Sequence, residues 1–197
     1  RVVDYVPTRE KRKPEFTSGP KIVHIEQVRW QIIPDRATSI AALQNNEVDG
    51  VEHVDSDFLP ILKKDKNITL IKRTLPSISL MRFNHLHAPF NDVKIRQAAM
   101  VALGQEAHLK TQVGAPGMFT FCKSMYPCGT PFASDKTGIY TGMADPKKAA
   151  QMLKDAGYDG TPVVLMRPTD LAAIAKLPLV AKQQLEAAGF KVDMQQM

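Results

Sequence analysis

The sequence has few of the features that mark specialised classes of protein. Only two of its 197 residues are cysteine, one is tryptophan, and aromatic residues make up 7%. No stretch approaches the roughly 20 consecutive apolar residues that cross a bilayer. No basic segment followed by an apolar one marks a secretory signal peptide. With 44% hydrophobic and 23% charged residues, the composition predicts an ordinary globular chain that can form one sizeable core.

The charge is basic, with a formal net value of +6. Part of it is concentrated in "REKRK" at residues 9–13. A module that binds nucleic acid would be expected to place aromatic residues among such charges, or to show a recognisable binding motif. Neither is present, so we interpret the cluster as a solvated basic loop. A basic nucleic-acid-binding module is kept as an alternative.

The two cysteines, Cys122 and Cys128, lie close together in "FCKSMYPCG". Pro127 and Gly129 bend the chain beside them, which allows a short disulfide-bonded loop. A zinc site would need further ligands, and no second cysteine pair exists. Two buried free thiols are the alternative. We predict the Cys122–Cys128 disulfide, which implies an oxidising compartment.

Hydrophobic periodicity, capping residues and turn residues predict alternating strands and helices. Predicted strands cover residues 22–33, 48–54, 67–73, 77–84, 161–168 and 190–197. Predicted helices cover residues 35–48 and 56–66, begin near Asp92 and Gln105, and cover 145–160 and 171–189 with an interruption near Pro178. This alternation is typical of an α/β layer fold. We predict an irregular arm at residues 1–21 and a single α/β lobe over residues 22–197.

Two histidines, His85 and His87, flank a leucine in "NHLHAPFND". On a strand they would share one face, where they could bind a metal. Zinc requires three or four ligands, however, and no Ser-His-Asp order or pair of catalytic carboxylates accompanies them. We predict no metal site and no catalytic residue. An unrecognised hydrolase or metal-dependent enzyme that uses His85 and His87 is kept as an alternative.

A long loop between Gly114 and Gly142 contains both cysteines. Loops of this length usually have a function. It combines apolar side chains with a few hydrogen-bonding groups, as in the wall of a small-molecule site, and a disulfide would restrict its freedom. The alternative is that its aromatic residues cover the core. The candidate ligand residues in this loop are Met118, Phe119, Thr120 and Tyr126.

Four segments occur in the order found in one known family. They are "IIPDRATSIAALQNNEVDG" (32–50), "FNHLHAPFNDVKIRQAAMVAL" (83–103), "ADPKKAAQMLKDAGYDG" (144–160) and "LVAKQQLEAAGFKVDMQQM" (179–197). Together they resemble the extracytoplasmic solute-binding proteins of peptide- and nickel-type ABC transporters, family 5. The chain departs from the family at Gly104 and Gln105, where the family pattern has Asp-Arg.

The resemblance implies a fold and a function. The expected fold is an α/β lobe of the type II periplasmic-binding-protein kind, with a mixed sheet flanked by helices, covering most of the second lobe of a two-lobed protein. The expected function is to capture a peptide or similar small solute between the lobes and deliver it to a membrane permease. The resemblance implies no enzyme activity, no cofactor, no nucleic acid, a monomer, and a periplasmic or other extracytoplasmic, membrane-associated location. It also places Asn84 near the cleft, with His85 and His87 as further candidates.

Overall fold

The computed structural model describes residues 24–72, 78–114 and 117–197. The predicted arm at residues 1–21 lies outside these residues, as do residues 22–23, 73 and 77 of the predicted strands. The chain divides into two units between Val51 and Glu52.

The first unit contains one helix, α1 (Arg36–Gln44), within its described residues 24–51. Asp35 is the N-cap, as predicted: its carboxylate accepts hydrogen bonds from the Thr38 N–H at 2.8 Å and the Thr38 hydroxyl at 2.7 Å. The side chain thereby satisfies a helix N–H that has no intrahelical partner. After α1, Asn46 adopts a φ of 59°, a left-handed conformation that asparagine tolerates well.

The Asp35 cap should make α1 sensitive to acid. The hydrogen bond from the Thr38 hydroxyl, followed by that from its N–H, lowers the pKa of Asp35. Because the folded-state pKa lies below the unfolded value of about 3.9, the cap contributes at neutral pH and is lost as pH falls through the folded pKa. Hydrogen exchange should show reduced protection of α1 amides below about pH 4. Asp35→Asn keeps an acceptor that does not titrate and should remove this dependence; equal acid sensitivity in both proteins would contradict the assignment.

Four of the predicted strands do not form in the described residues. Residues 24–33, 48–54, 67–72 and 78–84 contain no paired strand. Trp30 is 82% and Ile32 91% exposed, so their alternation does not bury one face. A strand requires a hydrogen-bonded neighbour, and alternating β-branched residues supply only the side chains suited to one.

The second unit has helices close to their predicted positions. Ser56–Phe58 forms a 3₁₀ turn that continues into a short helix. The α-helices are α2 (Leu59–Leu62), α3 (Val93–Ala102), α4 (Gln105–Gln112), α5 (Pro146–Asp155), α6 (Ala172–Ala175) and α7 (Leu177–Ala187). Asp92 and Asp145 cap α3 and α5 through side-chain hydrogen bonds from Lys94 N–H and Lys148 N–H. Pro178 lies in the first turn of α7, where a missing N–H is tolerated, and this explains the predicted interruption.

Two parallel strands, β1 (Val163–Arg167) and β2 (Val192–Gln196), form the sheet of the described residues. Val163 pairs with Val192 and Arg167 with Gln196. Helices α6 and α7 connect them, as parallel strands require a long crossover. The predicted α/β class is confirmed, whereas the predicted mixed sheet is reduced to this parallel pair in the part of the chain that the structure describes.

The core joins the α3–α5 helix pair to α7 and the sheet. Small residues at the helix contact allow close approach: Ala98, Ala99, Ala102 and Ala149 are each at most 1% exposed. Four aromatic rings then follow one another through the core. Phe83 lies 4.6 Å from Phe90, Phe90 lies 6.3 Å from Phe190, and Phe190 lies 5.5 Å from Tyr158, measured between ring centroids.

Most of the segment at residues 83–103, one of the four that resemble the family, therefore has a structural role in and beside the core. Phe90 is buried, and Arg96 donates to the carbonyl oxygens of Phe90 at 2.6 Å and Asn91 at 3.1 Å. These bonds satisfy carbonyl groups just before α3 and hold the start of the helix against the core.

Candidate functional site

The segment at residues 117–142, here called the 117–142 loop, contains no helix or strand. The structure joins Cys122 and Cys128 in a disulfide, as predicted, with their Cα atoms 5.8 Å apart. Within the loop, the Ser124 hydroxyl oxygen accepts hydrogen bonds from the N–H groups of Tyr126 at 3.2 Å and Ser134 at 3.0 Å. The disulfide and these side-chain bonds give the loop a defined shape without regular secondary structure.

The first residue of α4, Gln105, forms hydrogen bonds with this loop at two places. The side-chain amide of Gln105 donates from Nε2 to the Cys122 carbonyl oxygen and accepts from the Cys122 N–H at 3.0 Å. The Gln105 backbone N–H donates to the Gly142 carbonyl oxygen at 2.8 Å. One residue at the start of α4 therefore contacts the loop near its beginning and at its end.

Gly104 allows this connection to pass close to the chain that leaves the loop. A Cβ atom on Gly104 would lie 2.4 Å from the Ala144 backbone nitrogen. The Gly104 N–H donates to Gln184 Oε1 on α7 at 3.0 Å, and its carbonyl oxygen accepts from His108 Nδ1 at 2.8 Å. Glycine is thus required by the space available, and its backbone groups are satisfied by neighbouring side chains.

A second glycine, Gly142, allows a side chain of the loop to lie close to its backbone. It has a φ of +79°, and a Cβ atom there would lie 2.9 Å from the Phe121 ring. The Phe121 ring therefore packs on the bare backbone of Gly142, beside the disulfide. This contact holds part of the Phe121 ring against the end of the loop, while 45% of the side chain stays exposed.

The loop exposes a series of large apolar side chains. Exposed fractions are 40% for Met118, 45% for Phe121, 72% for Met125, 55% for Tyr126 and 73% for Phe132. The Tyr126 and Phe132 ring centroids lie 5.7 Å apart. Phe119 is half-buried, and Thr120 is exposed. Ile139 is also exposed, at 37%; we call the other five exposed side chains, from Met118 to Phe132, the apolar surface.

This exposure argues against the alternative in which the loop's aromatic residues cover the core. In the described residues, the buried core cluster and the apolar side chains packed against it include no residue of the 117–142 loop. Exposed apolar side chains grouped on one segment are typical of a binding surface. Sequence reasoning missed Phe132 and Gln105; the signal for Phe132 was an aromatic residue in the same glycine- and proline-containing loop.

The predicted strand that would place His85 and His87 on one face does not form. These two histidines and Asn84 lie in an irregular turn. All three are exposed, and Asn84 Oδ1 accepts from the Leu86 N–H at 3.0 Å. In the described part of the chain, no hydrogen bond joins this turn to the 117–142 loop. Within residues 24–72, 78–114 and 117–197, no group of three or more His, Cys, Asp or Glu side chains is arranged to hold a metal.

A pocket of about 190 Å³ lies elsewhere, between the turn at residues 55–57, the end of α4 and the start of α7. Its charged lining residues are Asp55, Asp57, Lys110 and Lys176. Lys110 also donates to Glu106 at 2.6 Å; this hydrogen bond, and then the lysine charge, lowers the pKa of Glu106. The pocket contains none of the predicted ligand residues, and its charges are solvent-exposed, so we favour the apolar surface as the candidate site.

Comparison with known proteins decides the family. The family model described as "Bacterial extracellular solute-binding proteins, family 5 Middle" matches residues 1–197. The chain belongs to this family. Family 5 is a solute-binding family by that description, and its members are placed outside the cytoplasm. Among the described residues, no helix is both long enough and apolar enough to cross a membrane.

Two curated relatives illustrate the similarity. A probable peptide ABC transporter periplasmic-binding protein of Sinorhizobium fredii is 34% identical over 96% of this chain and 36% of its own length. The glutathione-binding protein GsiB of Escherichia coli K12 is 27% identical over 89% of this chain and 33% of its own length. The chain thus spans about a third of the length of these relatives.

Solved structures confirm the periplasmic-binding-protein fold of this family 5 chain. A dipeptide-binding protein from Pseudoalteromonas sp. SM9913, in complex with Met-Leu, aligns with a TM-score of 0.67 and 23% identity over 84% of this chain and 33% of its own. The oligopeptide-binding protein AppA of Bacillus subtilis, in complex with a nonapeptide, aligns with a TM-score of 0.64 and 20% identity over 84% of this chain and 35% of its own.

Proposed function

We propose that this chain is part of the solute-binding component of an ABC transporter, which captures a peptide or similar small solute and delivers it to a membrane permease outside the cytoplasm. Family membership supports the class of function. The observation that carries the local assignment is the apolar surface, held by a disulfide and by Gln105. In this proposal the solute binds between two lobes, and closure of the lobes prepares it for transfer.

The composition of the loop favours a solute with apolar or aromatic groups. The 117–142 loop contains three charged residues, Lys123, Asp135 and Lys136, against six large exposed apolar side chains, the apolar surface and Ile139. Methionine and aromatic side chains adapt to varied apolar partners. A peptide that carries apolar side chains fits this chemistry better than a highly charged solute. Asn84, His85 and His87 stay secondary candidates for polar contacts.

A single experiment tests the proposed function. The intact protein, purified from cells under native conditions, should carry a bound solute that mass spectrometry identifies as a peptide or similar small molecule. Replacing Tyr126 and Phe132 together by alanine should raise the Kd for that solute about tenfold, because each buried aromatic contact contributes about 1 kcal/mol or less.

The matched control is Val164→Ala on β1. Val164 is 56% exposed and lies outside the loop, so this variant should bind the solute with unchanged affinity. Equal affinity of the double variant and the parent protein would contradict the assignment to the apolar surface. A parent protein that retains no solute and transfers none to its transporter would contradict the proposed function itself.

A further inference from the structure

Gln105 is placed to control the shape of the loop through its contacts with the loop backbone. Its side-chain amide bonds to both backbone groups of Cys122, and its backbone N–H bonds to Gly142. Because Cys122 is bonded covalently to Cys128, the side-chain contact also restrains the intervening residues. Tyr126, with its exposed ring, lies within this restrained segment.

We propose that Gln105 is a positioning residue that holds the disulfide-bonded part of the 117–142 loop and thereby keeps the apolar surface in its solute-binding geometry. The inference about loop geometry stands on the contacts alone, whereas its consequence for affinity rests on the proposed function.

The chemistry of the contact requires glutamine. One group must donate to a carbonyl oxygen while an adjacent atom accepts from an N–H, and a primary amide supplies both at fixed separation. Leucine has a similar volume and neither group. Glutamate has the same shape and keeps the acceptor, but its ionised form faces the Cys122 carbonyl oxygen without a proton to donate.

The two contacts of Gln105 can be separated by mutation. A change of side chain removes the bonds to Cys122 and leaves the backbone bond to Gly142 in place. In Gln105→Leu, hydrogen exchange measured by mass spectrometry on the intact, oxidised protein should show protection of residues 118–128 reduced about tenfold, as expected for the loss of two hydrogen bonds. Protection of residues 138–145 should change little.

The glutamate variant provides a readout that a packing role would not affect. In Gln105→Glu, protection of residues 118–128 should be reduced at pH 7 and restored at about pH 3.5, where a glutamic acid of ordinary pKa is mostly protonated and its O–H can donate. Glu106, His108 and Lys123 are the same in the leucine variant, so Gln105→Leu at the same two pH values corrects for any effect of these neighbours. Exchange is compared after normalisation to the intrinsic rate at each pH.

The control is Gln97→Leu, which makes the same substitution at an exposed position of α3 and should leave loop protection unchanged. Calorimetry of the parent protein and the variants with the dipeptide Met-Leu measures the consequence for affinity separately. Reduced loop protection in Gln105→Leu supports the inference whether or not the parent protein binds Met-Leu. Failure of the parent protein to bind Met-Leu counts only against the proposed function. Loop protection equal to that of the parent, or no recovery of Gln105→Glu at low pH, overturns the inference whatever the affinity.

Discussion

Phe190→Ala is expected to lower the free energy of unfolding by about 4 kcal/mol. The Phe190 side chain is 3% exposed, and its ring lies between those of Phe90 and Tyr158. Truncation would leave a cavity that the small, tightly packed residues of α3 and α5 cannot fill. Urea unfolding of the intact protein should show a lower midpoint for the transition of the second unit, with an unchanged slope.

The matched control for this substitution is Phe132→Ala. Phe132 is 73% exposed, so its removal should change the free energy of unfolding by about 0.5 kcal/mol or less. A loss of less than about 1 kcal/mol for Phe190→Ala would mean that the chain of aromatic rings does not contribute to the core as described.

Gly104→Ala is expected to lower the free energy of unfolding by about 3 kcal/mol. The added methyl group would lie 2.4 Å from the Ala144 backbone nitrogen. A backbone atom cannot rotate away as a flexible side chain can, so the α3–α4 connection and the chain before α5 would have to move apart. That movement would also weaken the bond between the Val101 carbonyl oxygen and the Asp145 N–H, now 2.9 Å long. Thermal unfolding followed by circular dichroism would detect the change.

Gly50→Ala is the control, because it adds the same methyl group to a glycine that has no close neighbour. Gly50 lies in open space and its φ is outside the left-handed region. The same substitution there should leave stability unchanged or raise it by less than about 1 kcal/mol, because alanine restricts the unfolded chain. If Gly104→Ala behaved like Gly50→Ala, the close contact with Ala144 would be absent in solution.

Helix starts were predictable because their determinants are local. Asp35, Asp92 and Asp145 each cap a helix through a side-chain bond to an N–H two or three residues later. Pro178 is also a local signal: the sequence predicted an interruption of the helix near it, and α7 begins at the preceding residue, Leu177. The two strands of the described residues were also predicted, since β1 and β2 are linked by a recognisable helix.

The remaining strand predictions failed because pairing is not a local property. The segment at residues 24–33 has the residue types of a strand, yet no neighbouring strand in the described residues bonds to it. The candidate site was predictable in part. Loop length, the cysteine pair and the aromatic residues indicated a functional loop, whereas the contact of Gln105 with Cys122 joins residues that are 17 positions apart and follows no spacing rule.

The parallel pairing of β1 and β2 bears on how this part of the chain folds. The strands and the helix α7 between them lie within residues 163–196, so their mutual contacts close relatively short stretches of chain. The contacts of α3 with α5, in contrast, enclose the whole 117–142 loop. Because the entropy lost on closing a loop increases with its length, and folding slows as contacts become more distant in sequence, β1, α7 and β2 form the region where folding can begin at the lowest entropic cost. Helices α3 and α5, with the 117–142 loop between them, can then dock onto the surface that β1, α7 and β2 have formed.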